Sequence, residues 1–249
     1  MALFKSGNPT LSAKTFSQFG QAADDSEAMT ISGTVNKVGM LLALLMIAAY
    51  ITWNFTLSNP GIGYTIIIGG TIAALIVAII VSFKKQTAPV LAPVYAVFEG
   101  LALGGLSAYM DAIYPGIAIE ALTLTFTIFL SLLAIYKFKI IRATENFKLI
   151  VASATAGVAL YYVASLVAGL FHVNLPLIHS NSAFGIGFSL FVVVLAAANL
   201  VVDFDFIEQG AENRVPKFME WYGAFGLLVT LVWLYIEILR HLSKLRSRN

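Results

Sequence analysis

Apolar and polar positions fall in long blocks along this chain, without the short alternation of a half-buried strand. Seven blocks are mainly apolar over roughly 20 residues, the length that crosses a bilayer core as a helix. They cover about residues 38–55, 63–83, 90–110, 120–136, 149–171, 183–202 and 221–239. Short polar breaks part them, such as Ser58-Asn59-Pro60-Gly61 after the first and Lys84-Lys85 after the second. The pattern predicts an all-α polytopic membrane protein, a seven-transmembrane-helix bundle occupying residues 38–242.

Residues 1–37 read differently. They are polar and Ser/Thr-rich, with the acidic cluster Asp24-Asp25-Ser26-Glu27. Lys5 and Lys14 are not followed by a short apolar core and a small-residue cleavage site, so no signal peptide is expected. This segment is read as a disordered tail, with a short interfacial helix as the alternative. Residues 243–249 form a basic C-terminal tail.

Loop charges set the orientation. Lys5, Lys14 and Lys37 precede the first block, and Lys84 and Lys85 follow the second. Lys137, Lys139, Arg142 and Lys148 lie between the fourth and fifth, and Arg214 and Lys217 between the sixth and seventh. The three remaining loops have no Lys or Arg. The amino terminus is therefore expected in the cytoplasm. Seven full crossings would then put Arg240, Lys244, Arg246 and Arg248 outside, against the same rule. Either that tail is an exception or one segment does not cross fully; seven crossings are favoured, because the last block is long enough.

Composition narrows the classes. Hydrophobic residues make up 59% of the 249 positions, charged residues 11%, and mean hydropathy is +0.86. Soluble domains carry about 25% charged residues, so the lipid bilayer must solvate most of this exterior. The net charge of +2 offers no footprint for nucleic acid. The absence of cysteine excludes disulfides, thiolate metal sites and cysteine nucleophiles. Runs such as Ala152-Ser153-Ala154-Thr155-Ala156-Gly157 suit close helix packing in lipid and say nothing of function.

The informative residues are ionisable groups at membrane depth, which are costly there and face protein or water. Glu99 lies in the middle of the third block, either tying helices together or serving an ion or proton path. Asp203 and Asp205 close the sixth block and point about 200° apart on a helix, so at most one looks into the bundle. Asn199 stands one turn before Asp203 on the same side. An acid at a helix carboxyl end is poorly placed for the helix dipole and needs a partner; Lys84, Lys85, Arg214 and Lys217 share its membrane side. A solvated helix end is the plainer alternative. Glu220 and Glu237 stand about 25 Å apart along the seventh helix, near opposite interfaces. Glu237 is most simply a partner of Arg240 or His241.

Catalytic patterns are scarce in the sequence. Gly105-Leu106-Ser107 has no His base at its depth, since His172 and His179 fall in an outer loop and His241 in the tail. The seventh block has no Lys for a retinal Schiff base. Zincin, Walker and Rossmann patterns are absent from the sequence. Asp203 with Asp205 is a weak diacidic metal motif. No enzyme, cofactor or resident metal is expected.

The order of these features resembles the Bax inhibitor-1 family over about residues 30–242. The matching pieces are Phe98-Glu99-Gly100-Leu101-Ala102-Leu103-Gly104, Val202-Asp203-Phe204-Asp205-Phe206-Ile207, and the closing Leu234-Tyr235-Ile236-Glu237-Ile238-Leu239-Arg240. Together with Asn8-Pro9 and residues 29–37, they look most like a bacterial branch, which implies the bacterial cell membrane. The resemblance implies a seven-helix bundle with a central last helix and, in some members, a pH-sensitive calcium leak. There a pair of acids shares a proton, because two close acids cannot both ionise cheaply, and a basic residue latches the first acid. Carried over, Asp203 is the first acid and Lys84 the latch. The second acid's position holds Thr230; Glu220 would serve if the helix start is shifted, and Glu237 if the last segment is re-entrant.

Two functions are therefore expected in competition. One is a pH-gated cation leak carrying calcium through the bundle. The other is a non-conducting regulator that binds another membrane protein, such as a membrane protease, through its polar tail. A proton-coupled transporter is weaker, since no inverted repeat or broken helix pair is visible.

Overall fold

The structure, a computed structural model, describes residues 25–171, 180 and 182–248. The tail expected over residues 1–24, and His172 and His179, lie outside those residues. The described chain is helical throughout its length apart from short connections. We label the helices α1 (Ile31–Ser58), α2 (Pro60–Phe83), α3 (Ala88–Ile113), α4 (Ile117–Lys137), α5 (Glu145–Leu170), α6 (Ala183–Glu212) and α7 (Met219–Arg246). Among the described residues these seven are long and apolar enough to span a membrane. The protein is an all-α polytopic bundle, and α7 is its most enclosed helix. The most apolar stretch of α7 is 83% buried, against 17% for α5. Large side chains such as Ile47, Leu160, Leu166 and Phe184 stay exposed on the other helices, as lipid contact requires.

The helices run past the apolar blocks at several ends, because backbone hydrogen bonding does not stop where hydropathy does. Three of these overruns change the picture. Helix α1 starts at Ile31, so residues 31–37 belong to a helix and not to a tail. Helix α6 continues to Glu212. Asp203 and Asp205 therefore lie two turns or more inside it, and the dipole penalty expected for them at a helix end does not apply. Helix α7 is continuous to Arg246, which corrects the re-entrant alternative and turns most of the expected basic tail into helix. Two residues past the ends of α4 and α6 stand Lys139 and Arg214, both left-handed at φ 57° and 51°. The amides of Ile140 and Val215 then bond back to the carbonyls of Ile135 and Gly210, closing each helix end.

The helices fall into two compact units. One comprises residues 25–118 and 206–229. In it, Gly100 and Gly104 of α3 lie against the backbone of α1, where a Cβ would collide with the carbonyls of Leu45 and Ala49. Gly70 of α2 meets the Phe98 carbonyl of α3 in the same way. The glycine motif around Glu99 is thus a packing device. Tyr95 of α3 stacks edge-on against Phe225 of α7, ring centroids 5.0 Å apart.

The other unit comprises residues 119–205 and 230–248. Here α5 buries a single stripe that includes Lys148, Val151 and Val158. The valines join an apolar cluster with Val192, Leu195 and Val202 of α6, flanked by Trp233 of α7. The Phe204 ring packs between Phe129 and Tyr136 of α4.

Candidate functional site

Asp203 is fully buried and Asn199 is 1% exposed, so the polar stripe expected on α6 faces the interior. Asn199 Nδ2 donates to Thr155 Oγ1 at 2.9 Å and to the Leu195 carbonyl at 2.9 Å. Asn199 Oδ1 is buried and has no hydrogen-bond partner among the described residues. Asp205 points elsewhere, as the 200° offset requires, and its Oδ2 lies 2.5 Å from Lys148 Nζ.

Lys148 is the described partner of Asp205. Its sequence position reads as a loop charge, but α5 starts early enough to place it in the first helical turn, 6% exposed. A cation at a helix amino end opposes the dipole. Asp205 and, at 3.5 Å, Glu145 offset that repulsion. Three of the cations expected on that membrane side are lysines with described placements. Lys84 caps α2 with its side chain exposed. Lys85 Nζ sits 5.6 Å from the centre of the Tyr222 ring, and Lys217 Nζ donates to the Ser26 carbonyl.

Glu237 is 1% exposed and lies in the same unit. It accepts from Arg240 Nη1 at 3.0 and 3.1 Å, from the Tyr162 hydroxyl at 2.9 Å and from Trp233 Nε1 at 3.3 Å. The guanidinium also donates to the Tyr162 hydroxyl at 2.7 Å and covers its ring. Arg240, one turn along, is thus the partner of Glu237. His241 instead meets Ser189 Oγ through Nδ1 at 2.8 Å. Lys244 donates to the Gly185 carbonyl and Arg246 pairs with Glu120, which accounts for the basic end of α7 within the unit.

Glu220 and Glu99 belong to the first unit described. Glu220 is fully buried at the start of α7. It accepts from the Thr30 amide at 3.0 Å, the Thr30 hydroxyl at 2.9 Å, and Lys37 Nζ. Thr30 Oγ1 accepts in turn from the Gly33 amide. A capping box normally takes its acid from the helix's own third residue; here α7 supplies it to α1. Residue 33 is glycine, and a Cβ there would collide with the Glu220 carboxylate. Residues 26–30 also pair with the α6–α7 connection, through Met29 N to Val215 O and Lys217 N to Glu27 O, both 2.7 Å. Glu220 is therefore tied to the amino end of α1. Glu99 is half-buried on α3, one turn beyond Tyr95.

Asp203, Asp205 and Glu237 thus share one unit with polar groups that the sequence did not single out as site residues: Lys148, Thr155 and Tyr162 of α5. Their spacing of seven in an apolar helix is the signal that could have found them. Among the described residues no group of three or more His, Asp or Glu side chains is placed to hold a metal ion.

A family model described as Bax inhibitor 1 like matches residues 8–247. Neither curated proteins nor solved structures returned a match.

Proposed function

The chain belongs to the Bax inhibitor 1 like family, and on that premise we propose that it is a passive, pH-sensitive cation leak that carries calcium. The observation that supports this most is Asp203, an acid wholly buried on the interior stripe of a membrane-spanning helix. Acids at membrane depth are costly, face protein or water, and often mark ion or proton paths. Protonation changes it from an acceptor to a donor, so packing that suits one state opposes the other. The Lys148–Asp205 pair, with Glu145 beside it, stands next to Asp203 along α6 and supplies charges that would respond to its change. Glu99 and Glu237 are further acids for the path or its control. The protein is read as non-enzymatic, in a bacterial cell membrane, with its amino terminus in the cytoplasm.

The test is reconstitution into liposomes holding a calcium dye, with influx followed at several pH values. Influx above protein-free liposomes, changing with pH, supports the leak; none at any pH overturns it.

A second reading is a non-conducting regulator that binds another membrane protein. The anchoring of residues 26–30 to the α6–α7 connection favours it, because it gives the preceding polar residues a fixed attachment point. Crosslinking in membranes to a partner, lost on removal of residues 1–24 with no change in flux, would support it.

A further inference from the structure

Helix α5 presents three polar side chains seven residues apart, Lys148, Thr155 and Tyr162. Seven residues are about two turns and about 10 Å of rise, so the three share one face. Each is bonded across to another helix: Lys148 to Asp205, Thr155 to Asn199, and Tyr162 to Glu237. These are three polar rungs on the least buried helix of the bundle. Between the rungs on the same stripe stand Val151 and Val158, 4% and 6% exposed. Val151, with Val202 of α6, lies between the first and second rungs. Val158, with Leu195, lies between the second and third, all within one apolar cluster.

We infer that the ion path of this protein follows the interior stripe of α5, and that the two valine collars close it. The inference rests on the leak reading above. Polar rungs could replace part of an ion's hydration shell, while an apolar constriction between them stays dry and blocks passage. The middle rung carries the mark of such a station: the buried Oδ1 of Asn199, an acceptor with no hydrogen-bond partner among the described residues. Buried acceptors are nearly always satisfied in proteins, and a carbonyl oxygen is a suitable ligand for a hard cation or its water. The collars make the described conformation closed, and hydration of the collars opens it.

The experiment measures calcium influx into liposomes for wild type, Val158→Ser and Leu160→Ser. Leu160 is 71% exposed on the opposite side of α5 and serves as the lipid-facing control. The inference predicts that Val158→Ser raises flux on the order of tenfold, because a small loss of apolar surface lowers the crossing barrier, and that Leu160→Ser does not. Val151→Thr, close in shape to valine, repeats the test at the other collar should Val158→Ser fail to fold. Equal flux in wild type and collar variants overturns the path. So does silence in all of them. A silent wild type beside conducting collar variants would support the path while removing the leak as the native activity.

Discussion

Lys148 Nζ and Asp205 Oδ2 lie 2.5 Å apart, joining the first turn of α5 to α6 about two turns before α6 ends. The lysine side chain is 7% exposed and the aspartate 18%. This pair fixes α5 against the stretch of α6 that carries Asp203. In a double-mutant cycle, Lys148→Ala and Asp205→Ala should couple by about 0.5–3 kcal/mol, read from thermal unfolding in detergent. A coupling of zero would show that the pair holds nothing.

The clamp on Glu220 gives a second prediction. Glu220→Ala removes the acceptor for the Thr30 amide and hydroxyl and for Lys37. It should cost about 1–3 kcal/mol for the buried groups left unsatisfied. Gly33→Ala should be destabilising as well, since its Cβ meets the carboxylate. Both are read as a lowered unfolding midpoint.

The same clamp predicts where truncation costs stability. The comparison is between proteins lacking residues 1–24 and residues 1–30. Removing residues 1–30 takes away Thr30, the cap of α1, together with the pairing to the α6–α7 connection. It should lower stability by about 1 kcal/mol or more. Equal stability of the two truncated proteins would contradict the docking.

Seven helices were legible because a bilayer demands long apolar runs, and hydropathy reports that demand directly. The helix ends were not, because amide bonding and capping decide them: Thr30 caps α1 well before the apolar run begins. For the same reason Lys148 reads as a loop cation yet sits inside α5. Asp203 was legible as the inward acid through Asn199 and the helical angle. The role of Glu220 was not, since its partners Thr30 and Lys37 stand about 190 residues away in sequence.

Tyr162 supplies a further test. Tyr162→Phe removes the donor to Glu237 and the acceptor for Arg240 while keeping the ring under the guanidinium. The expected cost is about 0.5–1.5 kcal/mol, or more if the charges weight it, read as a shift in unfolding midpoint. Tyr162→Leu, which also loses the ring contact, should cost more.

The most direct test is the pH dependence of calcium influx in liposomes carrying wild type or Asp203→Asn. Asparagine keeps the shape of the side chain and removes its titration. The account predicts that wild-type influx varies with pH and that the variant's is flat over the same range. A variant with the wild-type pH response would contradict the assignment of Asp203 as the sensor.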